Sequence, residues 1–406
     1  MSIRLLYISN VEISGKFIPG VVKKIKGQLS AFRRNGYLAD ALYPTNAGDL
    51  VREMNSGIIH KYKGARPFHV ESGVIKKLFV YAKLAFFGHI NFNNCLDDIV
   101  NERYNVIYLR FYMPGTDLVR FLREVKKACP GMLILLEYPT LNVGNLMSKD
   151  PVRKLIYHIN KPRIKALNKI ADFIITLTKD KTLFEKPAVF MTNGFDASGI
   201  SVIDPHVTAD PFVITGVASD CAHYHGYDKV ILGLAAYYRS NPKRKIYFRI
   251  ISSLLGYNIT ALKKLVDENN LNPYVEFCGS MDREELEKEF KKAHVGMGTL
   301  ALHRVGLMHN YSLKHREYAA FGLPFVISKG DDVFENSEFV FTVERDELPL
   351  DISEILSFYD ELLTLYPDYP KAFRRFAEEK ISWDSQLENV FRVISTHDSG
   401  NKITCA

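Results

Sequence analysis

Apolar positions along this chain alternate between short solid runs and longer stretches in which they recur every three or four residues, as strands followed by helices do. IRLLYISN is the first such run; a loop containing Gly15 and Gly20 follows, and VVKKIKGQLSAFRRNGY then keeps helical spacing until Gly36. LADALYP, from Leu38, supplies the next strand, so the opening unit reads βαβ and implies a parallel sheet. NVIYLRF, the helix TDLVRFLREVKKACP, MLILLEYP, a helix over 151–170, DFIITLT and AVFMTNGFD continue the alternation. Together they predict an α/β, doubly wound domain over residues 1–200.

A second series then starts afresh. PFVITGVAS, KIYFRIISSL, YVEFCGS, VGMGTLA and LPFVISK read as strands, separated by the helical stretches YDKVILGLAAYYRSNP, ITALKKLVDENN, DREELEKEFKKAH and KHREYAAFG. This predicts a second Rossmann-like domain over 201–380, with a C-terminal helix over 381–406 expected to return to the first domain. Open parallel sheets bind ligands at the carboxyl ends of their strands. Two such domains facing across a cleft would hold two substrates and exclude water, a layout suited to group transfer.

Composition narrows the class. The chain has 406 residues, too many for one small core. Its 53 Lys and Arg against 46 Asp and Glu leave +7, a modest excess with no nucleic-acid-binding module, so no nucleic-acid partner is expected. Five cysteines without CxxC or Cys/His spacing read as free thiols of a reducing compartment. The histidines form no H-x-x-x-H arrangement, and no metal is expected. MSIRLLYISN reads as a buried strand rather than a signal peptide, and no run reaches the roughly 18 apolar residues of a membrane span, so the expected location is cytoplasmic.

One stretch has the wrong charges for its place. In NYSLKHREYAAFGLPFVIS a helix begins with Lys314, His315 and Arg316, although a helix N-terminus favours acidic side chains or bound anions. The strand-end loops of the second domain contribute Gly216, His225, Gly279, Ser280 and Arg304, and in a parallel sheet they converge with Lys314 and the backbone of Ser312 and Leu313. Fixed N–H dipoles plus cationic side chains suit a diphosphate. Glu317, one turn on, suits a ribose, whose two hydroxyls it can accept; the competing reading is a carboxylate that caps its own helix beside solvated Lys314 and Arg316.

The order of elements and the block SLKHREYAAFGLP resemble the group 1 (family 4) retaining glycosyltransferases of the GT-B fold. TNGFD at 192–196 is similar to that family's P-N-G-x-D turn, HGYD at 225–228 to its K-G-x-D segment, and CGSMDREELEKEF and SWDSQLENVF also fit. The resemblance implies that Glu317 is the second, ribose-binding glutamate of the E-x7-E motif and that His309 stands where the first, sugar-contacting glutamate is usual. The family's arginine after the first strand of this domain falls at about Val217 and its lysine at His225. Arg304 and Lys314 are the expected substitute cations.

In the first domain the resemblance puts Gly15 and Gly20 beside donor phosphate and acceptor, the alternative being a plain β-to-α turn. Glu137, after a middle strand, and Arg110 read either as acceptor- or sugar-side residues or as ordinary strand-end charges. Residues 72–92 and 21–34 interleave lysines with large apolar residues, as two amphipathic helices or as peripheral contacts with anionic membrane. The expected function is a metal-independent retaining glycosyltransferase without a cofactor. It would transfer a hexosyl-type sugar from a UDP- or GDP-linked donor to a glycan or lipid-linked acceptor, in cell-surface polysaccharide synthesis. A nucleotide-sugar epimerase or hydrolase, an inverting enzyme of the same fold and a non-catalytic subunit are the alternatives.

Overall fold

The computed structural model describes residues 2–13, 20–45, 47–64, 90–110, 114–138, 151–196, 199–205 and 210–400, with the side chains of 151–157 and 399–400 left out. The chain divides into two compact units, Met1–Thr192 with Trp383–Ala406, and Asn193–Ser382.

The first unit is built on strands β1 (Arg4–Ser9), β2 (Leu38–Pro44), β3 (Asp49–Glu53), β4 (Ile59–Lys63), β5 (Val106–Arg110), β6 (Leu133–Tyr138), β7 (Phe173–Thr176), β8 (Thr182–Leu183) and β9 (Lys186–Phe190). Their order is β4-β3-β2-β1-β5-β6-β7-β9-β8. The run from β2 to β9 is parallel, whereas β3, β4 and β8 pair antiparallel at the two edges. Alternate residues of β1 serve two cores. Leu5 and Tyr7 pack with Val22, Ile25, Leu29 and Phe32 of the helix Gly20–Arg34, while Leu6 and Ile8 pack with Leu118, Phe121 and Leu122 on the other face. Burial on both faces explains why the parallel strands read as solid apolar runs.

The C-terminal segment closes the first of these cores through Trp383, 1% exposed. A Cβ added at Gly27 would overlap the Trp383 indole, so that glycine lets helix and ring meet. Gly27→Ala gains up to about 1 kcal/mol of helix propensity but overpacks a fixed ring, at about 1–3 kcal/mol. The melting temperature is expected to fall by a few degrees in a thermal scan; an unchanged or raised value would show that the indole can move aside.

The second unit carries β10 (Phe212–Val217), β11 (Ile246–Ile251), β12 (Val275–Gly279), β13 (Val295–Met297), β14 (Phe325–Ser328) and β15 (Val340–Val343), in the order β12-β11-β10-β13-β14-β15. All five pairings are parallel. The order reverses between β10 and β13, and this switch point is where open α/β sheets take ligands.

Candidate functional site

Lys314 reaches the switch point of the second unit from the first turn of the helix Leu313–Phe321. Its Nζ donates to the carbonyl of Gly298, just past β13, at 2.7 Å and to His225 Nδ1 at 3.2 Å, and it lies 5.3 Å from the centre of the Tyr227 ring. Among the described residues no carboxylate makes an ion pair with it. Burial pushes the amine down to about 7, opposed only weakly by Cys221. Burial, with Lys314 and His315 adding to it, holds His225 at about 2, so the ring is neutral and accepts at Nδ1. Lys314 and His225 each keep 8% of their surface, enclosed but not sealed.

Tyr227 closes one side of this pair. Its ring lies over Gly216, where a Cβ would stand 2.8 Å from Tyr227 Cζ, and among the described residues its buried hydroxyl has no hydrogen-bond partner. Gly216 therefore keeps the end of β10 open to an aromatic ring. Ser312 is the N-cap of the Lys314 helix and makes no side-chain capping bond, and Ser312, Leu313 and Glu317 are half-buried around that turn.

The other basic residues of the turn have different fates. Arg316 is fully buried: it forms a two-pronged pair with Asp331, at 3.1 Å from Nη2 to Oδ1 and closer through Nη1, and its Nε donates to Asn193 O at 2.9 Å. His315 accepts from the Thr299 N–H at Nε2, 3.1 Å, which leaves Nδ1–H to donate to Asp331 at 2.9 Å. Burial lowers His315 to about 4 against the opposing pull of Asp331, so it too is neutral. Asp331 thus anchors the helix start, a role that nothing in its own sequence neighbourhood announces.

Arg304 does not offer free charge. Its guanidinium binds both oxygens of Asp228, at 2.9 and 2.8 Å, both oxygens of Glu347 from Nε at 3.0 Å, and the carbonyl of His223 at 2.8 Å. Those hydrogen bonds raise its already high pKa, and the arginine acts as a latch between three loops. His309 is exposed, its ring parallel to that of Tyr311 at 6.2 Å. Gly279 ends β12 in a left-handed conformation (φ 80°), half-buried, and Ser280 after it is exposed.

In the first unit Glu137 is enclosed rather than presented. It pairs with Lys24 Nζ at 2.7 Å and Arg110 Nε at 3.5 Å, and accepts from the Tyr108 hydroxyl at 2.7 Å and Gln28 Nε2 at 3.1 Å. Burial alone would raise its pKa; Lys24 and Arg110 outweigh it and hold the carboxyl at about 2. Lys24 is 4% exposed because it serves this carboxylate. Arg33 donates to Ala39 O and Arg34 pairs with Asp384 at 2.6 Å, so these cations of 21–34, like Lys24, are engaged within the protein. Gly20 begins the helix Gly20–Arg34, whereas Gly15 and residues 72–89 lie outside the described residues.

Among the described residues no group of three or more His, Cys, Asp or Glu side chains is placed to hold a metal ion, and no helix is long and apolar enough to cross a membrane. Neither a protein-family model nor a curated protein matches the chain. Solved structures do. Sucrose-phosphate synthase from Thermosynechococcus elongatus is similar over 98% of this chain and 100% of its own, with a TM-score of 0.65 at 13% identity. The catalytic domain of starch synthase IV from Arabidopsis thaliana, bound to ADP and acarbose, has a TM-score of 0.65 at 9% identity with the same coverage. Anabaena HepE in complex with UDP has 0.59 at 12%, again over 98% of this chain and 100% of that one. The fold is that of the GT-B glycosyltransferases, with two Rossmann-like units.

Proposed function

We propose that this protein is a retaining glycosyltransferase that binds a nucleotide-diphosphate sugar on its second unit and transfers a hexosyl group to a glycan or lipid-linked acceptor, in the cytoplasm and without a metal. The observation that carries the reading is Lys314, a buried amine without a carboxylate, set at the strand ends of the switch point beside an uncapped helix start. A phosphate supplies the counter-charge this geometry lacks. The GT-B fold, with neighbours solved with ADP and with UDP, supports the same reading.

The chemistry proposed is front-face substitution. The acceptor oxygen bonds to the anomeric carbon on the side from which the phosphate oxygen departs, and the acceptor proton passes to that phosphate oxygen. Lys314 and the N–H groups near Ser312 and Leu313 take up the charge on the departing diphosphate. His225 fixes the amine, Glu317 holds the ribose, and His309 lies on the sugar side. Arg304 keeps its loops in register instead of touching phosphate.

A thermal-shift screen against UDP-, GDP-, TDP- and ADP-sugars tests the first claim, since a ligand at 100 times its Kd adds about 2.7 kcal/mol to the folded state. One base class is expected to raise the melting temperature, and Glu317→Ala to reduce that shift to near nothing. A Glu317→Ala variant that binds normally refutes the ribose assignment. Anomeric configuration in the product, read by NMR, separates retention from inversion, and binding without transfer to any acceptor favours the subunit alternative.

A further inference from the structure

Three cations in the first turn of one helix and one more in a neighbouring loop resolve into very different charges. Arg316 is neutralised by Asp331, Arg304 by Asp228 and Glu347, and His315 donates its only ring N–H to Asp331. The groups set against Lys314 are His225 and Cys221 on the loop after β10, Tyr227 on the following helix and His315 on its own helix, while Asp220, beside Cys221 and Tyr224, and the half-buried Glu317, one turn on, make no ion pair with it. None of the four groups against the amine supplies a negative charge at neutral pH. We propose that the site binds its diphosphate together with a proton: Lys314 is a neutral amine in the empty site in mildly alkaline solution and an ammonium when the anion is bound, with His225 Nδ1 as its fixed acceptor in both states.

This inference rests on the nucleotide-sugar reading above and adds its regulation. Burial without a counter-ion disfavours the ammonium, and an anion at contact distance favours it, so occupancy shifts the equilibrium toward the protonated form. With the empty-site amine near 7, the sign is definite: below that pH the amine already carries its proton and binding is insensitive to pH. Above it, each bound anion must bring a proton, and affinity falls as pH rises. The sugar-linked diphosphate itself has no proton to exchange in this range, unlike a free nucleoside diphosphate, whose terminal phosphate titrates at about 6. A sugar-linked probe therefore reports the protein alone.

The test is isothermal titration calorimetry of the full chain with UDP-glucose and GDP-mannose, in pairs of buffers that differ in ionisation enthalpy. Proton uptake close to one per ligand is expected at pH 8.5 and close to zero at pH 6, with Kd rising about twentyfold between pH 6.5 and 8.5. Lys314→Arg, charged throughout this range, is expected to bind without uptake and without that slope. Binding at pH 8.5 with no proton uptake by the unmodified protein overturns the proposal and leaves the nucleotide-sugar reading standing, as does uptake that persists in Lys314→Arg. Failure of both probes and of the wider sugar-nucleotide panel to bind at any pH overturns that reading as well.

Discussion

Lys314→Met is expected to raise the melting temperature of the unliganded protein at pH 6.5 while abolishing nucleotide-sugar binding. The stabilising side follows from the amine's position. An unfolded lysine holds its proton to about 10.5, and in the folded protein burial lowers this to about 7. Between those values the unfolded chain binds more protons, so the native protein gains stability as pH rises from about 7 toward 10.5. Below 7 the buried charge is a standing cost, on the order of 5 kcal/mol if the whole shift is taken. Methionine removes the charge at similar volume. It also removes the hydrogen bonds to Gly298 O and His225 Nδ1 and leaves both acceptors buried and unpaired, at about 1–2 kcal/mol each. A net gain of about 1–3 kcal/mol is left, or several degrees for a unit of this size. The gap between variant and unmodified protein should narrow by pH 9, where the native lysine has lost its proton. A lower melting temperature for Lys314→Met at pH 6.5 would mean that the buried charge costs less than the two hydrogen bonds it makes.

The βαβ alternation was legible because strands buried on both faces must be apolar almost throughout, as RLLYIS of β1 is. The hairpin β3–β4 was not. IHKYK of β4 alternates half-buried and exposed positions at a sheet edge, a pattern as compatible with a loop as with a strand. The site was legible to the same partial degree. His225 lies on a strand-end loop and Lys314 in the helix start after another, so strand order alone implied that the two converge. The fates of Arg304, Arg316 and Glu137 could not. Their counter-ions Asp228, Glu347, Asp331 and Lys24 lie 76, 43, 15 and 113 positions away along the chain. A charge in a sequence shows where it stands, and only the fold shows what neutralises it. The unusual basic helix start thus becomes one neutral histidine, one paired arginine and one unpaired lysine.

Glu137→Gln separates the two readings of that carboxylate. If Glu137 contacts the acceptor, glutamine should leave stability unchanged and raise the acceptor KM. The structure favours the other outcome. Glutamine can keep the bonds from Tyr108 and Gln28, but it strips the counter-charge from Lys24, whose ammonium is buried and whose pKa burial already lowers. Removing one partner of a buried pair costs about 3–5 kcal/mol, and that loss should appear in the urea midpoint or melting temperature of the full chain. The pH dependence gives a second signature with the sign set by the same pair. Folding lowers the Glu137 pKa from about 4.5 to about 2, so its contribution is complete above about 4.5 and is lost as pH falls toward 2. The unmodified protein should therefore lose more stability between pH 5 and 2.5 than Glu137→Gln does. Adding Lys24→Met to Glu137→Gln should recover part of the loss, because the stranded ammonium, not the missing carboxylate, is what costs stability. A single variant with unchanged stability and a raised acceptor KM would reverse the assignment and return Glu137 to the acceptor side of the reaction.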